Sequence, residues 1–170
     1  MREETRVFLN TWGAYNEGFI GFGWMTPSEA IDFMNEKLED KSFIAKFGEE
    51  FFIADIDNYL DIDFGNTDYG NVNDICEQIE ALEELKDYEL EEVKAVMEYE
   101  GCGALEAIEK KDNYIIYADK ESFFDSLDDL LHPVIDQCES ILSLYFDYEA
   151  YHESELMNAY EASNGAIIIR

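Results

Sequence analysis

Forty-one acidic side chains stand against only 11 basic ones in this chain of 170 residues, a net charge of −30, and yet 47% of the residues are hydrophobic and 15% aromatic. A disordered acidic segment reaches such a charge by giving up the residues that build a core. This chain keeps 12 Phe, 11 Tyr and 2 Trp, so it folds against its own repulsion and wears the charge on a folded surface. Charge far from zero works against compaction, and an excess this large points to the anionic surface as the functional part. The polyanion such a surface would imitate is nucleic acid.

The charge is not an appended tail. Residues 1–60 carry 12 acids and 5 bases, residues 61–112 carry 17 and 4, and residues 113–170 carry 12 and 2, giving nets of −7, −13 and −10. Direct binding of DNA, RNA or an anionic membrane requires a basic patch, and the nearest candidates are isolated pairs such as Lys110-Lys111. The segment Met1-Arg2-Glu3-Glu4-Thr5-Arg6 is charged with no apolar stretch behind it. The longest apolar runs, Phe51 to Ala54 and Ala166 to Ile169 among them, are too short to span a bilayer. The expectation is a soluble, unexported, cytoplasmic protein. Cys76, Cys102 and Cys138 are widely spaced without a C-x-x-C pattern, which favours buried free thiols over disulfides or zinc ligands.

The periodicities predict an α+β fold, an extended chain of three small modules over 1–60, 61–112 and 113–170. In the first, strands are expected over Val7 to Trp12, Phe19 to Met25 and Phe51 to Asp55, with a turn at Asn16-Glu17-Gly18. A helix is expected from Pro27 to about Leu38, its start marked by Thr26 as N-cap, Pro27 at the first position and Glu29 completing a capping box. The middle module is helical: Val72, Ile75, Ile79, Leu82 and Leu85 recur at three- and four-residue steps, with Glu77, Glu80 and Glu84 on the opposite side. A second helix over Tyr88 to Tyr99 buries Leu90, Val93, Val96 and Met97 and turns Glu91, Glu92 and Glu98 outward. Gly101 and Gly103 end it, and a short helix is expected around Leu105 and Ile108. The last module reads as a strand over Tyr114 to Ala118, a helix from Lys120 to Leu131 that carries Asp125, Asp128 and Asp129, and a break at Pro133. A helix-like stretch from Ile135 to Leu144, a Tyr/Phe-rich segment and an Asn164-Gly165 turn before a strand over Ala166 to Ile169 complete it.

Catalytic signals are weak. His132 and His152 are the two histidines, and neither sits in a nucleophile or metal motif. Carboxylate pairs for glycoside hydrolysis carry no signal when 41 acids supply hundreds of them. The stretch from Asp55 to Gly65 resembles a calcium loop, but counting from Asp61 puts Gly65 at the fifth position and Val72 at the twelfth, against the sixth-position Gly and twelfth-position Glu required. No cofactor and no metal are expected.

The helical carboxylates Glu77, Glu80, Glu84, Glu91, Glu92, Glu98, Asp125, Asp128 and Asp129 are the candidates for partner binding. An ordinary solvated helix interleaves Lys with Glu, gaining roughly 0.2–0.5 kcal/mol per pair, and these helices decline most of that gain. Duplex DNA carries one charge per ~1.7 Å, so the excess matches about 50 Å of duplex, or roughly 15 base pairs. A compact globule of this length would be only about 40 Å across.

Three stretches then resemble the ArdA antirestriction proteins. Tyr15-Asn16-Glu17-Gly18 followed by Trp24 is similar to the family's Y-N-x-G turn and G-x-W, with Phe22 at the place of the family glycine and Gly21 and Gly23 beside it. Phe52-Ile53-Ala54-Asp55-Ile56-Asp57 resembles the family's I-H-D-Y-E segment, with Ala54 and Asp57 where His and Glu are usual. Leu144 to Tyr151 is similar to the family's Y-[FI]-D-Y-x-A-Y region. The resemblance implies a non-enzymatic inhibitor carried by mobile genetic elements. It would mimic bent B-form DNA as an elongated homodimer of three-domain subunits and occupy the DNA-binding groove formed by the specificity and modification subunits of a type I restriction-modification enzyme. It also implies Tyr145, Phe146, Asp147 and Tyr148 as dimer candidates. From the residues themselves, a DNA mimic aimed at another DNA-binding protein, a carboxylate-based hydrolase and a salt-adapted acidic protein stay open.

Overall fold

Strand β1 (Arg6–Thr11) organises the first half of the chain. Its Val7 and Leu9 are fully buried on either side of half-buried Phe8, and Asn10 and Thr11 at its end are buried too. It forms the centre of a three-stranded antiparallel sheet, between β2 (Gly23–Met25) and β3 (Phe51–Asp57). The computed structural model describes residues 4–65, 67–137 and 145–170. Along β3 the pairing steps from Phe8 opposite Asp55 to Leu9 opposite Ile53, which leaves Ala54 as the extra residue of a bulge. Before the bulge Phe52 and Ile53 are buried, and after it Asp55 and Asp57 are exposed.

Two departures from the sequence reading occur around this sheet. Trp12 does not end the strand but opens a helix, α1 (Trp12–Asn16), because the Thr11 hydroxyl accepts the Ala14 N–H at 3.2 Å as an N-cap. The same hydroxyl donates to the Phe47 carbonyl at 2.6 Å. Gly13 lies so close to that carbonyl that a Cβ would meet its oxygen at 2.2 Å. The expected strand over Phe19 to Met25 shrinks to three residues because Gly21 takes φ +137° against the Phe8 ring, a conformation that breaks the extended chain. The turn over Asn16 to Gly18 is where the sequence places it, with the Gly18 N–H on the Tyr15 carbonyl at 3.0 Å.

Helix α2 (Pro27–Glu39) begins as predicted, with the Thr26 hydroxyl accepting the Glu29 N–H and the Glu29 carboxylate accepting the Thr26 N–H. A helix the periodicity does not foresee, α3 (Lys41–Phe47), follows at once, capped by Asp40. It sets Phe43 and Phe47 against Phe22, in a partly exposed cluster with Phe19, Phe33 and Phe51. Helix α4 (Val72–Glu83) buries the predicted Val72, Ile75, Ile79 and Leu82, with Cys76 beside them, and packs on α2. Burying each such aliphatic side chain is worth roughly 1.5–3 kcal/mol.

The second half contains α5 (Asp87–Glu100), α6 (Ala104–Lys110), a 3-10 turn at Lys111–Asn113, β4 (Ile115–Tyr117), α7 (Lys120–Ile135), α8 (Tyr148–Leu156), β5 (Tyr160–Glu161) and β6 (Ile167–Ile169). The strands form an antiparallel sheet in the order β4-β6-β5. The Asn164-Gly165 turn closes the β5–β6 hairpin, with Ala162 N–H on the Ala166 carbonyl at 2.9 Å. From α5, Leu90, Val93 and Val96 are buried as expected, together with Ala95, while Met97 is only partly covered. Phe123 and Leu127 of α7 pack on Ile167.

Pro133 does not break α7, which runs on to Ile135. The ring removes one donor within the last turn, and the Asp136 N–H still reaches the His132 carbonyl at 2.9 Å. Of the expected helical stretch from Ile135 to Leu144, Ile135 closes α7, and residues 138–144, Cys138 included, lie outside the described residues. The Tyr/Phe-rich segment yields α8 and β5.

The fold is α+β with two small antiparallel sheets. The chain divides into two compact units, Met1–Leu85 and Lys86–Arg170. The division falls inside the 61–112 stretch: α4 packs on α2, whereas α5 packs on α6 and β6.

Candidate functional site

Helix α4 presents the simplest acidic face. Glu77, Glu80 and Glu84 are all exposed, on the side opposite its apolar stripe. The helix contains no lysine or arginine, and among the described residues no side chain bonds or ion-pairs with these three carboxylates. Below them the Cys76 thiol is pushed up to about 12, mainly by burial and then by the charge of Glu80, so it is inert as a nucleophile.

The carboxylates of α5 are more engaged. Glu91 pairs with Lys94 at 2.8 Å and accepts from Asn164 Nδ2 at 3.0 Å, and the Lys94 bond above all holds its pKa low. Glu92 faces Lys111 at 3.9 Å and is half-buried. Glu98 is exposed but tied to the hairpin: Ser163 Oγ and N–H donate to it at 2.6 and 2.9 Å, and Tyr160 Oη at 2.8 Å. These bonds, Ser163 first, lower its pKa. The sequence offers no signal for this tether beyond the Asn164-Gly165 turn. Nearby, Lys110 bridges Glu100 and Glu106 at 2.9 and 2.8 Å.

On α7, Asp125 and Asp129 are exposed. Asp128 is half-buried and bonded to His152 Nε2 at 2.7 Å, whose ring stacks on Phe124 at 4.4 Å. This pair joins α8 to α7. His132 is exposed, its ring tilted over Tyr148 at 5.7 Å. A cavity of about 210 Å³ in the second unit is walled by Tyr88, Ile116, Ala118 and Ala166 with Glu91 and Glu92 beside it. A glycosidase acid needs a raised pKa, and the Glu91 pKa is lowered. Among the described residues no group of three or more His, Cys, Asp or Glu could hold a metal ion, and no helix is long and apolar enough to cross a membrane.

The family model for antirestriction protein (ArdA) matches residues 7–167. The chain belongs to the ArdA antirestriction family. No curated protein matches it. The ArdA match takes in both units and all three stretches singled out in the sequence. In this ArdA chain the Tyr15–Gly18 motif forms the end of α1 and its turn. Phe22, where the family glycine is usual, is a hub of the phenylalanine cluster. Ala54 is the bulge residue of β3. Of the four dimer candidates, Tyr145 is 83% exposed, Phe146 packs on Tyr148 and Tyr151, and Asp147 caps α8 by accepting the Ala150 N–H at 3.0 Å. Leu144 lies outside the described residues.

Proposed function

We propose that this ArdA protein inhibits type I restriction-modification enzymes without catalysis, by presenting carboxylates in place of DNA phosphates and competing for the enzyme's DNA-binding groove. The observation that carries the reading is the face of α4: an apolar stripe anchors the helix, and its solvent side holds Glu77, Glu80 and Glu84 with no base among them. Asp125 and Asp129 on α7 add to that display. Glu91, Glu98 and Asp128 have partners inside the protein, so they contribute charge while also holding elements together. The protein acts as a homodimer in the cytoplasm, with exposed Tyr145 as the contact among Tyr145, Phe146, Asp147 and Tyr148 that a partner subunit would cover.

The test is competition. The purified protein is titrated into a type I enzyme bound to labelled cognate DNA at moderate salt. Displacement of the DNA near one dimer per site is the expected result. No displacement by folded protein overturns the type I reading and redirects the search to other DNA-binding proteins.

A further inference from the structure

The first unit carries a second kind of surface. Trp12 stacks on buried Phe52 with centroids 4.4 Å apart, and Tyr69 and Tyr15 gather round the indole at 5.7 and 5.9 Å. Tyr69 is 80% and Tyr15 59% exposed. The set is built rather than incidental: Phe52 fixes the indole from below, and the backbone N–H of Trp12 is held by the Glu50 carbonyl at 3.2 Å. Exposed carboxylates Glu17, Glu50 and Asp68 lie within two residues of Tyr15, Phe52 and Tyr69 in the chain. Elsewhere the protein's own lysines sit over aromatic rings, Lys37 on Phe33, Lys46 on Phe47 and Lys86 on Tyr88. Among the described residues no cation covers Trp12, Tyr15 or Tyr69.

We propose that this aromatic face receives arginine side chains of the target enzyme. The inference rests on the reading above that the target presents a basic, DNA-contacting surface. A guanidinium is planar and weakly hydrated, so it stacks on indole and phenol rings while its N–H groups reach neighbouring carboxylates; an ammonium does this poorly. Phosphates offer no such platform. The face therefore adds to a DNA-like charge display a contact that the phosphate backbone lacks, and this contact persists as salt screens the carboxylates.

Trp24 is the second of the 2 tryptophans, so a Trp24→Phe protein leaves Trp12 as sole indole reporter. Tetra-arginine amide and tetra-lysine amide are titrated into it at matched charge. The expected result is a change in Trp12 emission with the arginine peptide well beyond that with the lysine peptide, removed by Tyr69→Ala and kept by Tyr69→Phe. In the DNA competition assay Tyr69→Ala weakens displacement by about two- to fivefold, the size of an exposed cation–π contact, and Tyr69→Phe restores it. Equal responses to both peptides, or a silent Trp12, overturn the inference even if DNA is displaced. An arginine-selective response with no displacement instead overturns the type I reading and leaves the arginine face standing.

Discussion

Glu98 shows how one carboxylate can serve the scaffold of a protein that carries 41 acidic side chains. It lies on α5 and gathers three donors from the β5–β6 hairpin, Ser163 twice and Tyr160 once. Because those bonds favour the ionised form, its folded pKa lies below its ordinary value. The stabilisation is therefore present above the unfolded-state pKa and is lost as pH falls through the folded one. Glu98→Gln is expected to lower the melting temperature at neutral pH and to flatten its decline on acidification, measured by thermal melts from about pH 7 down to pH 3. A variant that melts like the parent throughout would contradict the tether. Nothing at position 98 distinguishes this residue in the sequence from Glu77 or Glu80. The difference is made by partners more than 60 residues away, and periodicity reports only which way a side chain faces.

At the scale of the element, the sequence was legible wherever a helix both began with a chemical signal and buried a regular stripe. Thr26 with Glu29 marks α2, and the Val72, Ile75, Ile79, Leu82 repeat marks α4. It was illegible where a long-range contact decided the local conformation. Thr11 caps the helix that Trp12 opens by accepting the Ala14 N–H, and its hydroxyl is held for that role by the Phe47 carbonyl 36 residues away. Short α3 buries no residue fully and draws its stability from ring contacts with Phe22 and Phe51. Pro133 reads as a helix end, although at the last turn it costs only one backbone bond. The acidic face of α4 was fully legible, and its consequence can be tested element by element. A single Glu77→Gln, Glu80→Gln or Glu84→Gln change weakens inhibition by at most about fivefold, the range of one exposed ion pair, and the three together by about tenfold or more. Stability of the triple variant is unchanged or raised, since like charges at three- and four-residue spacing repel. Loss of all inhibition from one of these single changes would sink the distributed mechanism.

For the whole molecule, 30 uncompensated charges oppose folding. Lys37, Lys94, Lys110, Lys111 and Lys120 are already committed to neighbouring carboxylates, and such exposed pairs contribute little. Repulsion dominates, so the melting temperature is expected to rise between low and moderate salt as the screening length falls from about 30 to 8 Å. Calorimetry that found it falling would mean that specific ion pairs outweigh the net charge. The proposed spread of function over many carboxylates would also change what inheritance must preserve, and the bulge at Ala54 marks a boundary. Before it, β3 answers to the core through Phe52 and Ile53; at and beyond it, Ala54, Asp55 and Asp57 face solvent. Ala54 and Asp57, the two departures from the family segment that the resemblance singles out in this strand, are both exposed. Under the proposed mechanism, one strand would join a half that must be kept for the protein to exist with a half free to be rewritten.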